Sequence, residues 1–332
     1  MANNKTNPTI SIIMPVYNGI GFLEKSLPPL VSMLHKGEVL ELIVIDDGSL
    51  DSSMVLAKNV GARVLESGGR KGPGAARNIA VEQAKGDIVW FVDADVVVRD
   101  DAAIKLKQGF EDEEIVAVFG SYDDTPPARN FLSQYKNMVH HYYHQQASQD
   151  ASTFWSGCGA VRTKKFLELG GFDTEQFKHP SVEDIELGYR LRAAGGRIYL
   201  MSALQCSHLK VWRFINLVHT EFFRRAIPWS RLMLRQNKLT NDLNVGVGER
   251  IRAVLAMLLV LAVLASLFNF LTWWATAGVF IVGLVANSKF ISFFYQRKGL
   301  LFTLGGFLYH QFYYLYSSAA FAFAVLEKAV KK

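Results

Sequence analysis

Val89-Trp90-Phe91-Val92-Asp93-Ala94-Asp95 decides how this chain is read. Ile88 to Val92 is an apolar run too short for a core helix and rich in β-branched and aromatic residues, so it reads as a buried strand. The strand ends in two carboxylates spaced i, i+2. In an open α/β sheet, ligands bind outside the carboxyl ends of the strands. Two like charges placed there repel unless something positive lies between them. A hard divalent cation bridging to phosphate oxygens suits such a pair. Standing alone, the same Asp-x-Asp would be two solvated aspartates in a turn, so its meaning depends on its surroundings.

Working back towards the N-terminus, residues 9–16 read as a first strand ended by Pro15. Leu23, Leu27, Leu30, Val31 and Leu34 recur at helical spacing. Leu40 to Ile45 is a second buried strand, followed at once by Asp46-Asp47-Gly48-Ser49, and Ala62 to Leu65 a third. Strands alternating with helices predict a mostly parallel, Rossmann-like α/β sheet. Gly68 to Asn78 is a Gly-rich loop leading into a helix over Ala75–Ala84. It is not a P-loop, because no Gly-Lys-Ser/Thr closes it. Gly72-Pro73-Gly74-Ala75-Ala76-Arg77 begins like a dinucleotide fingerprint, but Arg77 replaces the third Gly and the loop follows the third strand. Arg70, Lys71 and Arg77 at a helix N-terminus suit an anion such as a diphosphate. The plain alternative is a mobile surface loop.

Beyond the Asp-x-Asp, Ala102–Phe110 reads as a helix and Ile115–Phe119 as a strand. A helix from about 128 to 146 carries His140 and His144 at i, i+4, with no Glu in the zinc-protease position, which favours aromatic packing or a membrane-facing helix over a metal. Trp155 to Arg162 is a strand punctuated by Gly157 and Gly159, a pattern that suggests close approach of the backbone to a ligand. Ser181 with Asp184 three residues later resembles a capping box opening the helix Ile185–Ala194. Ile198–Leu200 and Leu204–Ser207 read as short strands, with His208 ending the second. Cys158 and Cys206 lack any Cys-x-x-Cys pattern and read as buried free thiols.

Of 332 residues, half are hydrophobic and only 20% charged, and the apolar ones are unevenly spread. A net charge of +6 with no zinc-finger or RNA-binding motif gives no reason to expect nucleic acid. No charged-then-apolar leader precedes the first strand, so a cytoplasmic catalytic domain is expected. From residue 210 to 252, nine Lys and Arg face three acids, with Trp212, Phe214, Phe222, Phe223 and Trp229 interleaved. Such a stretch reads as interfacial and drawn to anionic lipid. Residues 253–287 contain no charged side chain at all. At roughly 20 residues per span, Ile251–Phe268, Ala275 to about Phe294, and Leu300–Leu326 are two to three membrane passes. The expected organisation is a catalytic domain over 1–235, a juxtamembrane linker over 236–250 and a membrane region over 251–332.

Ser11-Ile12-Ile13-Met14-Pro15-Val16-Tyr17-Asn18, Asp46-Asp47-Gly48-Ser49-Leu50-Asp51, Gly74-Ala75-Ala76-Arg77-Asn78, Asp93-Ala94-Asp95 and Glu183-Asp184 occur in the order and spacing of inverting glycosyltransferase family 2. The resemblance covers about residues 9–235, and the tail is similar to that of membrane-anchored members. It implies the glycosyltransferase A-type fold, a nucleotide-sugar donor and Mg²⁺ or Mn²⁺. It implies that Pro15, Tyr17, Asp46 and Asp47 line the nucleoside pocket, Arg77 faces the diphosphate, and Asp93 contacts ribose or sugar. Asp95, with His208, would hold the metal. Gly157 and Cys158 would lie beside the donor sugar or acceptor. Asp184, with Glu183 beside it, would be the general base for a hydroxyl of a lipid or lipid-linked acceptor. Arg224 to Trp229 only approximates the Gln-x-x-Arg-Trp motif of processive members. Two rivals differ from this reading. A polyprenyl-phosphate glycosyltransferase would have an acceptor that is already ionised and needs no base. A membrane-anchored sugar-nucleotide-binding module would not turn over its ligand.

Overall fold

The computed structural model describes residues 8–236 and 241–331. Lys238 and the 237–240 portion of the expected linker lie outside the described residues. The chain divides into two compact units, Met1–Val211 and Trp212–Lys332. Residues 212–235, grouped by sequence with the catalytic half, therefore fall in the second unit.

The first unit runs β1 (Ile10–Val16), α1 (Ile20–His35), β2 (Glu41–Asp46), α2 (Ser53–Asn59), β3 (Arg63–Glu66), α3 (Pro73–Val81), β4 (Ile88–Val92), β5 (Val96–Val98), α4 (Ala102–Gly109), β6 (Ile115–Tyr122), α5 (Phe131–Gln146), β7 (Asp150–Ala151), β8 (Cys158–Arg162), α6 (Thr163–Glu168), α7 (Glu183–Ala193) and β9 (Arg197–His208). These strands form one sheet in the order β3-β2-β1-β4-β8-β6-β9-β5, with β7 on β9. β1, β2, β3 and β4 are parallel, as the alternation of elements requires. β8 then enters antiparallel between β4 and β6, and β5 and β7 run antiparallel to β9. The sheet is mixed: β1, β2, β3, β4, β6 and β9 share one direction, and β8, β5 and β7 run against it.

Burial explains the strand sequences. All five residues of β4 are buried, as expected of a strand covered on both faces. Trp90 and Val92 pack in the main core with Leu23, Leu27 and Leu30 of α1 and Met14 of β1. Phe91 faces the other side, against Phe166 and Phe172 at 5.4 and 5.3 Å between ring centroids. Pro15 does not end β1. It pairs with Ile45 and lies beyond Ile13, the last residue of β1 registered on β4, so its missing N–H breaks no bond on that side. The two short strands expected near 198 and 204 are one strand of 12 residues, β9, with an irregular register against β6.

The second unit is helical: α8 (Phe214–His219), a π-helical turn (Thr220–Ala226), α9 (Ile227–Arg235), α10 (Val247–Leu267), α11 (Trp273–Ala286) and α12 (Ser288–Val330). Arg231 makes a two-pronged ion pair with Glu327, 2.7 and 3.2 Å, tying α9 to α12. Among the described residues, α10 is the one unbroken helix long and apolar enough to cross a membrane. The second expected pass, 275–294, is not a single helix: the chain bends by 66° between α11 and α12. Asn287 stands at the bend, buried, its side-chain amide donating to Gly283 O at 2.9 Å. The third expected pass, 300–326, lies within α12, just past Gly299, whose φ of 77° breaks the helical geometry.

Candidate active site

The carboxyl ends of β1, β2 and β4 place the sequence motifs side by side. Asp46 ends β2 and accepts from Ser49 N at 2.8 Å, which closes the Asp-Gly turn. Asp47 is buried, and both its oxygens are used. Ser67 Oγ and Lys71 N donate to Oδ1 at 2.7 and 2.9 Å, and Gly72 N donates to Oδ2 at 2.8 Å. A buried carboxylate satisfied this way fixes the Gly-rich loop against β2. Gly72, at φ +88°, supplies the left-handed turn into α3 that a side chain would resist. The guanidinium of Arg70 stands 4.3 Å from the centre of the Tyr17 ring, and Arg70 and Lys71 are the loop's exposed cations.

The residues after Tyr17 are braced to the same loop region. Asn18 N donates to Ser49 Oγ at 2.9 Å, Leu50 N to Asn18 Oδ1 at 2.7 Å, and Ile20 N to Asp51 Oδ2 at 3.1 Å. Burial raises the Asp51 carboxyl, but the hydrogen bonds from Ser53 and Ile20 outweigh it and hold it below the usual carboxylate range. Asn18, Ser49, Asp51 and Ser53 thus work as a bracket between the β1–α1 and β2–α2 turns.

Asp93 and Asp95 occupy the turn between β4 and β5. Its backbone is pinned at both ends: Asp93 N donates to Gly157 O at 3.1 Å, and Leu209 N to Asp95 O at 2.8 Å. Arg77 is 3% exposed and donates through Nη2 to Asp93 Oδ1, and Nε has no hydrogen-bond partner. The guanidinium lies 5.6 and 6.0 Å from the Phe172 and Phe91 ring centres. Desolvation raises the Asp93 carboxyl, Arg77 lowers it, and the charges of Asp95 and Asp184 raise it again, for a net upward shift. Asp95 behaves oppositely. Burial raises it, but His208 and Lys210 outweigh burial and hold it below its ordinary range. His208 Nε2 lies 3.4 Å from Asp95 Oδ2.

Opposite them stands the first turn of α7. Asp184 is half-buried. Its Oδ2 accepts from Ser156 N and Oγ at 3.1 and 3.3 Å, and its Oδ1 from Ile185 N at 2.9 Å. The expected capping box is absent: Val182 is the N-cap, with no side-chain bond, and Ser181 N instead donates to Glu183 Oε2 at 2.7 Å. Glu183 is buried against α3, where a Cβ on Gly74 would touch its Cγ at 3.7 Å. Burial, reinforced by the Asp184 charge, pushes its carboxyl up to about 7.

Cys158 is fully buried, in register with Val92 at the carboxyl end of β4, and Cys206 Sγ donates to Ser121 O at 3.6 Å. Both thiols are free, as expected. Gly157, just before β8, and Gly159 within it sit tight against protein: a Cβ on Gly157 would lie 2.6 Å from the Trp155 ring, and one on Gly159 2.2 Å from Trp155 O. Trp155 meets Tyr122 edge-on at 4.8 Å, and Tyr122 stacks on His208 at 4.5 Å and 9°. His140 and His144 stack on each other at 3.8 Å and pack on Trp155, the aromatic alternative. Ser156, Tyr122, Trp155, Asn18 and Asp51 are site residues that the sequence did not reveal in these roles. The Ser49-x-Asp51 spacing was the one signal for the bracket.

No group of three or more His, Cys, Asp or Glu among the described residues could by itself hold a metal ion. Asp95 and His208 nonetheless form a hard oxygen and imidazole pair with an ionised carboxylate. That donor set fits Mg²⁺ or Mn²⁺ bound jointly with substrate phosphates, which complete the coordination such ions need.

Residues 11–170 match the model of the family described as Glycosyl transferase family 2. An uncharacterized glycosyltransferase of Haemophilus influenzae is 34% identical over 120 residues, 35% of this chain and 47% of the relative. A poly(ribitol-phosphate) beta-glucosyltransferase of Bacillus spizizenii is 36% identical over 105 residues, 29% of this chain and 16% of the relative. The chain thus matches less than half the length of either relative. The solved mannosyltransferase PcManGT from Pyrobaculum calidifontis, in complex with GDP-Man and Mn²⁺, is similar in fold. It superposes at a TM-score of 0.58 and 18% identity, over 96% of this chain and 88% of that one.

Proposed function

We propose that the chain, whose residues 11–170 match the model of glycosyl transferase family 2, is an inverting, metal-dependent glycosyltransferase. It moves a sugar from a nucleoside-diphosphate sugar to a hydroxyl of a lipid or lipid-linked acceptor. One observation supports the mechanism above all. Asp184 is a reachable carboxylate at a helix N-terminus, aimed by Ser156 and close enough to Asp93 for its charge to raise that carboxyl.

The chemistry divides among the residues by their surroundings. A hydroxyl is a poor nucleophile and needs a carboxylate to take its proton. Asp184 suits this role because it is only half-buried and is held in place by Ser156. Glu183 does not, because it is buried and holds its proton up to about 7; it braces α7 against α3. Asp93, held by buried Arg77, faces the ribose or sugar. Pro15, Tyr17, Asp46 and Asp47 form or support the nucleoside side, with Arg70 and Lys71 available to the diphosphate. Asp95 and His208 would hold the divalent ion, which when bound neutralises the charge building on the leaving diphosphate. With no enzyme nucleophile in the scheme, a single displacement inverts the anomeric centre. The solved structure of PcManGT in complex with GDP-Man and Mn²⁺ is consistent with this assignment. Purified protein in detergent, incubated with nucleotide sugars and Mn²⁺, is expected to release nucleoside diphosphate, and to stop when a chelator is added.

The membrane is the second part of the proposal. α10, α11 and α12 expose a broad apolar surface, including Leu261, Leu267, Phe268, Trp274, Val285, Leu301 and Leu308. An apolar patch this extensive marks a membrane or partner surface. Paired with the uncharged 253–287 stretch it favours a membrane region over 251–332, reached through residues 212–250 from a catalytic unit over 1–211 that faces the cytoplasm. The full chain is expected to stay with membranes through an alkaline carbonate wash and to leave only in detergent. Release by the wash alone would remove the spans from the account.

A further inference from the structure

We infer that Tyr122 is a positioning residue that holds the metal side and the acceptor side of the site in register. The inference rests on the glycosyltransferase reading above and goes beyond it. Tyr122 ends β6, 9% exposed, and its ring meets three others. It stacks flat on His208 at 4.5 Å and 9°, packs on His140 at 4.2 Å, and receives Trp155 edge-on at 4.8 Å and 81°. His208 points its Nε2 at Asp95, 3.4 Å away. Trp155 is followed directly by Ser156, which anchors Asp184 from its N–H and hydroxyl. One ring therefore touches both arms of the site: Tyr122–His208–Asp95 on one side and Tyr122–Trp155–Ser156–Asp184 on the other.

The backbone supports the same role. Tyr122 is in register with Cys206, two residues before His208 on β9, and the register between β6 and β9 shifts just upstream of it, between Phe119 and Ser121. His208 is itself in register with Val96 of β5, which fixes its backbone, and the flat stack on Tyr122 sets the plane of its ring. Ring orientation matters because an imidazole coordinates along one in-plane lone pair, and outer partners that orient it typically change metal affinity by about 10- to 100-fold. His140 backs Tyr122 from α5 and itself stacks on His144, whose Nδ1 lies 2.9 Å from Gly120 O. The column of rings is thus anchored to the sheet at its far end.

The test uses the full chain in detergent with three variants and two readouts, Mn²⁺ affinity in the presence of nucleoside diphosphate and the separate values of kcat and KM. Tyr122→Leu is expected to weaken Mn²⁺ binding by about tenfold or more and to lower kcat. Tyr122→Phe, which keeps the ring, is expected to restore both. Trp155→Leu cuts one arm only, and is expected to lower kcat by about tenfold or more with Mn²⁺ affinity unchanged. Where Tyr122→Leu does not fold, Tyr122→Met fills similar volume without a ring plane and carries the same expectations. A folded Leu or Met variant with wild-type Mn²⁺ affinity would overturn the inference, and so would a Phe variant as impaired as Leu. Asp95→Ala is the control that separates the two levels. Lost Mn²⁺ affinity in Asp95→Ala together with unchanged affinity in Tyr122→Leu sinks the positioning role alone. Unchanged affinity in both sinks the metal assignment beneath it and the inference with it.

Discussion

Asp184→Asn is expected to lower turnover by about 10²-fold or more, the usual scale of general-base loss, with nucleotide affinity almost unchanged. The substitution keeps the size of the side chain and one acceptor oxygen, but the amide cannot take a proton. The structure adds a second consequence. Both carboxylate oxygens of Asp184 already accept hydrogen bonds, Oδ2 from Ser156 and Oδ1 from Ile185. An amide replaces one acceptor with a donor and sets it against an N–H, so a stability loss of about 1–2 kcal/mol should accompany the kinetic effect. Thermal unfolding of the variant measures that loss separately, and turnover read well below the transition isolates the chemistry. A phosphate acceptor, already ionised, predicts near-normal turnover in the same variant. An active Asp184→Asn protein would therefore remove both the base and the hydroxyl acceptor from the account.

Asp95→Ala carries the second large effect. Donor affinity measured with Mn²⁺ should fall to the value measured with chelator, and turnover should drop by about 10²-fold or more, matching several kcal/mol of lost charge stabilisation. The fold should survive. The backbone bond from Leu209 N to Asp95 O does not involve the side chain, and His208 remains stacked on Tyr122. Calorimetry with nucleoside diphosphate, with and without Mn²⁺, distinguishes the cases. A mutant that still gains affinity from Mn²⁺ would show that Asp95 is not a ligand.

The local half of the site was legible in the sequence because its signals are local. An apolar run ending in Asp-x-Asp, Asp-Asp-Gly-Ser after a strand and a Gly-rich loop before a helix each report on a few adjacent residues. The structure sets all three at the carboxyl ends of neighbouring parallel strands. What stayed hidden is non-local. β8 runs antiparallel beside β4, and residues 158–162 carry nothing that states which strand they will pair with. Ser156 reaches Asp184 across 28 residues of sequence, and Tyr122 meets His208 across a longer interval. Gly157 and Gly159 announced close contact, and the structure sets Trp155 against both. Asp47 looked like a ligand residue, and its oxygens turn out to tie down the Gly-rich loop. Hydropathy saw 275–294 as continuous because Asn287, where the chain bends, is uncharged.

The central claim is a single displacement at the anomeric carbon of a nucleotide sugar. It is tested most directly by incubating the purified chain, in detergent with Mn²⁺, with a panel of nucleotide sugars and membrane lipid acceptors. The anomeric configuration of the transferred sugar is then read by NMR. The account predicts turnover of at least one donor and a product of inverted configuration. A product that retains the donor's configuration would contradict the single displacement, and a panel with neither binding nor turnover would contradict the transferase itself.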